Sequence, residues 1–79
     1  GRSQEQVSAN GASQALSAGT YDVWCVADAY IRVSVDPLTP APSNTNGYFV
    51  PAGRVIPVRI GRDGLKIGST AALSFHRVE

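Results

Sequence analysis

Residues 20–36, "TYDVWCVADAYIRVSVD", form the longest run of the chain without Gly or Pro. The run is dense in β-branched and aromatic side chains, which suit a pleated, half-buried surface. It divides near Ala27-Asp28. Before that point Tyr21, Val23, Cys25 and Ala27 alternate with Asp22, Trp24, Val26 and Asp28. After it, Ile31, Val33 and Val35 alternate with Tyr30, Arg32 and Ser34. A period of two puts one set inward and the other outward, the pattern of strands and not of a helix. Two antiparallel strands joined by a tight turn over Ala27–Ala29 are expected.

The segments on either side continue in the same style. In "VIPVRIGRDGLKIG", residues 55–68, Ile56, Val58 and Ile60 alternate, and Leu65 and Ile67 follow. Asp63-Gly64 between them is the dipeptide of a type I′ hairpin, whose two central residues need positive φ. Pro57 cannot donate to a ladder and is expected at an edge or bulge. "AALSFHRV", residues 71–78, sets Leu73 and Phe75 against Ser74 and His76 as a final strand. Gly68-Ser69-Thr70 reads as the turn before it. Gly and Pro together make up 8 and 5 residues scattered along the chain, and no helix is expected. Six to seven short strands with frequent turn signals indicate an all-β domain, a single small antiparallel β-sandwich or barrel. Its expected core is Val23, Ile31, Val33, Ile56, Val58, Leu65, Ile67, Leu73 and Phe75.

Two regions carry a weaker strand pattern or none. The first twenty residues are Ser, Gln and Ala with only Val7 and Leu16 as large apolar groups. Residues 1–12, which include the turn dipeptide Asn10-Gly11, read as an extended N-terminal arm. The domain proper is assigned to 13–79, beginning with a strand over Ser13–Ala18. An arm of this kind can add to a neighbour's sheet edge. The second region is "DPLTPAPSNTNGYF", residues 36–49. Pro37, Pro40 and Pro42 fix φ and push the residues before them toward extended geometry. Asn44, Asn46 and Gly47 then permit a turn back. Such a loop is either a contact surface or a crossover between two sheets, with Leu38 as the natural anchor if it docks.

With 79 residues the chain makes one domain of a size that is marginal alone. Cys25 is the only cysteine and reads as a small buried core residue, so no intrachain disulfide can form. With one thiol and one histidine, a zinc site built from this chain is not expected, nor is any other cofactor. The formal net charge of +1 is too balanced for binding by phosphate neutralisation, which argues against nucleic acid. Residues 1–53 carry two cations against four anions, and residues 54–79 carry five against two. That asymmetry suits either head-to-tail packing or solvated strand faces. No apolar run approaches the roughly 20 residues of a membrane span. No signal peptide is visible, and the lone thiol suits a reducing compartment, so the chain is expected to be intracellular at synthesis.

Chemistry is sparse. His76 could be grouped with an Asp and a Ser, but the many serines make that combination expected by chance, and His76 reads as a solvated outer-face residue. Asp28 and Asp36 lack the cleft that paired catalytic carboxylates need. Gly61, Gly64 and Gly68 lie at turns, not ahead of a helix. An enzyme is not expected. Among the aromatics Tyr21, Trp24, Tyr30, Tyr48 and Phe49, an exposed ring would allow sugar stacking. Trp24, on the face opposite Tyr21, is either a second-face core residue or an interface anchor. The expected partner contacts are Val7 and Leu16 near the arm, Leu38, Pro40, Pro42 and Asn44 in the loop, and the basic Arg54 and Arg62.

The order of motifs resembles that of the small all-β structural proteins of tailed bacteriophages. The resemblance rests on Leu16-Ser17-Ala18-Gly19-Thr20-Tyr21, Tyr30-Ile31-Arg32-Val33, Val50-Pro51-Ala52-Gly53 and Leu73-Ser74-Phe75, and covers roughly residues 13–78. The Asp63-Gly64 turn and the long Pro-rich loop are less typical of that group. The resemblance implies a non-enzymatic virion protein, assembled in the host cytoplasm, that decorates or cements the capsid by bridging major-capsid subunits. It would be homo-oligomeric on the particle, without nucleic acid or membrane as a partner. A neck or tail component and a carbohydrate-binding, receptor-recognising module are the alternatives.

Overall fold

The computed structural model describes residues 5–78, and among them there is no helix. Eight strands form: β1 (Glu5–Val7), β2 (Gly11–Ala12), β3 (Gly19–Cys25), β4 (Ala29–Ser34), β5 (Tyr48–Val50), β6 (Ile56–Ile60), β7 (Lys66–Ser69) and β8 (Leu73–Arg77). They make two four-stranded antiparallel sheets, ordered β1-β8-β3-β6 and β2-β7-β4-β5. The all-β expectation holds, with eight strands in place of six or seven. Val23, Cys25, Phe75 and Leu73 from the first sheet pack with Ile31, Val50 and Ile67 from the second in one buried cluster, a sandwich-like arrangement.

The strands lie close to where the alternation puts them, but their partners differ. β3 and β4 do not pair: they belong to opposite sheets. The Val26–Asp28 link is an arch that turns two apolar faces toward each other. Sheets stack about 10 Å apart, a gap that the four steps from Cys25 to Ala29 can span at about 3.5 Å each. Gly53 N–H donates to Cys25 O (2.9 Å), and Ala52 N–H donates to Asp28 Oδ1 (2.8 Å), closing the arch.

Asp63-Gly64 is likewise no hairpin. β6 pairs with β3, and β7 pairs with β4 and β2. Gly64 has φ 96°, but Asp63 is not in the positive-φ region that a type I′ turn requires. Its carboxylate accepts from Ala18 N–H (2.8 Å), and Gly64 N–H donates to Leu16 O (2.9 Å). Both corners thus use one device. An Asp in a sheet-changing turn holds the alanine N–H of an Ala-Gly step, Ala18-Gly19 in one case and Ala52-Gly53 in the other.

Among the described residues the only consecutive strands that pair are β4 and β5. Residues 35–47 join them, so the Pro-rich segment is a long loop within one sheet and not a crossover. Pro57 lies on β6, an edge strand, where a missing donor costs the sheet nothing. Gly68 and Ser69 belong to β7, and the turn before β8 is Thr70–Ala72.

The N-terminal reading needs correction. β1 pairs with β8, placing Val7 opposite Leu73, and β2 pairs with β7. In their described part, residues 1–12 are therefore two short strands and the turn between them, paired into the domain's own sheets; residues 1–4 lie outside the described residues. Ser13–Ala18, expected as a strand, is irregular apart from a bridge between Leu16 and Leu65. Its anchors are Ser13, whose hydroxyl accepts from Ile67 N–H (2.9 Å), and Leu16 N–H, which donates to Leu65 O (2.8 Å).

Candidate functional site

The outer faces of the two sheets differ. On the β2-β7-β4-β5 sheet, Gly68 leaves a gap that the Pro-rich loop fills. A Cβ there would meet Pro37 Cβ at 3.0 Å and Leu38 Cδ2 at 3.1 Å, so the loop seats on bare backbone. Pro37 is fully buried. Arg32 Nη1 donates to Asp36 O (3.0 Å) and Pro40 O (3.2 Å), clamping the first half of the loop to β4. Asn46 organises the second half: its Oδ1 accepts from Ser43 N–H (2.8 Å), and its Nδ2 donates to Ala41 O (3.0 Å). The loop is thus a folded cover for the domain's own sheet.

The outer face of the β1-β8-β3-β6 sheet carries no such cover among the described residues. It presents Gln6, Ser74 and Trp24 in one cross-strand row, and His76, Asp22 and Pro57 in the next. Trp24 stands near the middle, half-buried, its ring edge-on to His76 with centroids 5.5 Å apart and planes at 67°. Beside it are two exposed valines, Val26 at 88% and Val55 at 57%. Trp24 forms part of two open hollows. One, of about 550 Å³, has Val26, Gly53 and Val55 as walls and Asp22 and His76 as its polar rim. The other, of about 320 Å³, is bounded by Gln6, Ser8, Val26 and Ser74. A large ring flanked by exposed aliphatic groups and a thin polar rim is what an interface anchor looks like. Trp24 is therefore an outer-face residue and not core. His76, read as simply solvated, is half-buried against it.

The remaining aromatics do not join this face. Tyr21 is buried against Phe75, with ring centroids 6.1 Å apart. Tyr30 and Phe49 pack together on the opposite sheet, and Tyr48 is 67% exposed on its edge strand. One shared aromatic platform does not form.

The structure scatters the expected contact residues. Val7 (2% exposed) and Leu16 (7%) are core, so neither is a contact on this fold. Leu38 is half-buried over Gly68, and Pro42 is buried. Pro40 and Asn44 are exposed on the Pro-rich loop, and Arg54 and Arg62 are exposed on two other loops. Arg59 pairs across from Thr20 on the strand that carries Asp22, so the acidic and basic halves of the sequence interleave in space and form no two poles. The sequence signal for the Trp24 face was its outward phase in β3; the exposure of Val26 and Val55 depends on the arch and has no such signal.

Cys25 is buried, and burial pushes its thiol up, with a hydrogen bond from Ser69 acting the other way. That environment suits an inert thiol. Among the described residues no three His, Cys, Asp or Glu side chains gather as a metal site. Comparison with protein-family models, curated proteins and solved structures returned no match.

Proposed function

We propose that this chain is a non-enzymatic structural protein of a tailed-phage virion, decorating or cementing the capsid by bridging major-capsid subunits. Its docking surface is the outer face of the β1-β8-β3-β6 sheet around Trp24. The observation that carries the docking half of this reading is the asymmetry of the two sheets. One outer face is closed by the domain's own loop, and the other presents a tryptophan between exposed Val26 and Val55. The virion half rests on the motif order described above.

Particle occupancy tests both halves. Mass spectrometry of purified particles should find the chain in hundreds of copies, as a shell protein requires. Trp24→Ala should keep the circular dichroism of the parent and lose its place on the particle. About a dozen copies would move the protein to the neck or tail, and absence from particles would end the virion reading. Carbohydrate recognition has less support, because the larger hollow beside Trp24 is walled by Val26, Gly53 and Val55, with Asp22 and His76 its only charged or hydrogen-bonding side chains apart from the Cys25 thiol and the Trp24 indole. A Trp emission shift on adding glycans would favour it.

A further inference from the structure

The chain contains two Asn-Gly steps, Asn10-Gly11 and Asn46-Gly47, and the fold treats them in opposite ways. We propose that Asn10 is a site of spontaneous modification, deamidation through a cyclic imide, and that Asn46 is protected from the same reaction by the structure.

The chemistry needs no enzyme. The backbone nitrogen of the following glycine gives up its proton and attacks the asparagine Cγ. The C–N bond to the side-chain nitrogen breaks, and ammonia leaves. Water then opens the five-membered imide at either carbonyl, leaving aspartate or isoaspartate. One water is consumed and one ammonia released, with no change of oxidation state. Glycine in the next position favours the attack because no Cβ crowds the ring that must form.

Asn46 cannot readily reach that geometry. Its Oδ1 accepts from Ser43 N–H (2.8 Å) and lies 3.2 Å from the Ser43 hydroxyl, and its Nδ2 donates to Ala41 O (3.0 Å). Gly47 is also pinned, since the position of a Cβ on it is only 2.5 Å from Ile31 O. Closing the imide would break several hydrogen bonds and move a packed backbone at once. Asn10 is exposed at the tip of the β1–β2 turn, with φ 60° and a side chain that makes no hydrogen bond among the described residues. On the backbone side Gly11 N–H donates to Ser8 O (2.9 Å), and Gly11 opens β2 opposite Ser69, so the attack disturbs one end of a two-residue edge pairing. Conversion has a structural consequence. Isoaspartate reroutes the backbone through the side chain, lengthening a three-residue link between strands of opposite sheets.

The test is a time course of the intact folded protein at mildly alkaline pH. Tryptic peptides 3–32 and 33–54 report the two sites separately, through the mass gain of amide to acid. Modification at Asn10 should outpace that at Asn46 by at least roughly tenfold, the effect of one to two hydrogen bonds on the reactive population. In concentrated urea the two rates should converge, and Ser43→Ala should raise the Asn46 rate in the folded protein. Equal rates in the folded state, or conversion at Asn46 ahead of Asn10, would overturn the proposal. So would an Asn10 that stays intact when folded and converts only in urea.

Discussion

A Cβ placed on Gly47 would stand 2.5 Å from the carbonyl oxygen of Ile31, and a second backbone oxygen, that of Ser43, lies 3.2 Å away. Neither can rotate aside as a side chain would. The closeness follows from the loop's task. After folding over Gly68, the chain must return beside β4 within one residue of starting β5 at Tyr48. Gly47→Ala is therefore expected to lower stability by about 1–3 kcal/mol, the usual range for forced overpacking. Gly61→Ala is the control: nothing lies within 4 Å of its Cβ position, and its effect should stay within about 0.5 kcal/mol. Urea denaturation of the two variants against the parent decides the matter, and equal midpoints would show that the loop does not press on β4. The sequence shows Gly47 as a turn residue; that its hydrogen is needed against Ile31 is legible only once the loop is seen to double back over its own sheet.

Strand positions were written in the chain and strand partners were not, for a reason that β3 and β4 make plain. Alternation records which side chains face inward. A hairpin and an arch both require Val23, Cys25, Ala29 and Ile31 to be inward, so the same pattern serves two strands lying side by side and two lying across the core from each other. The Asp63-Gly64 step has the same ambiguity, because a residue suited to a tight turn serves any tight turn. β1 was missed for a different reason. Three residues with one valine are too little for a pattern, and pairing with β8, which is contributed from the far end of the chain, creates the strand. Since Val7 is buried beside Leu73, Val7→Ala should cost about 1.5–3 kcal/mol from lost burial. Gln6→Ala, on the exposed face of the same strand, should cost within about 0.5 kcal/mol. If Val7→Ala instead left the urea midpoint unchanged, the N-terminal segment would be acting as the free arm that its composition suggests.

The molecule as a whole has a radius of gyration of 11.1 Å, against about 11.6 Å for a globule of this length, so nothing in the described chain extends far enough to act as a tether. The described residues would then meet a partner with a surface already in place. A domain this small has a thin margin of stability, which makes binding visible as stabilisation. A partner that binds only the folded state adds RT ln(1 + [L]/Kd), about 2.7 kcal/mol at a hundredfold excess over Kd. For a domain of 60–100 residues each kcal/mol moves the melting temperature by roughly 4–8 °C. The bound protein should accordingly melt well above the free one. Trp24→Ala should abolish most of that gain while changing the free melting temperature little, since the ring is half-buried on an outer face and outside the core cluster. Calorimetry of the free domain and of the domain with purified particles lacking it, for parent and variant, separates the cases. A variant that loses its own stability would return Trp24 to a structural role, and a variant that keeps the full gain on particles would move the docking surface to the other side of the molecule, where Tyr30, Phe49 and the Pro-rich loop lie.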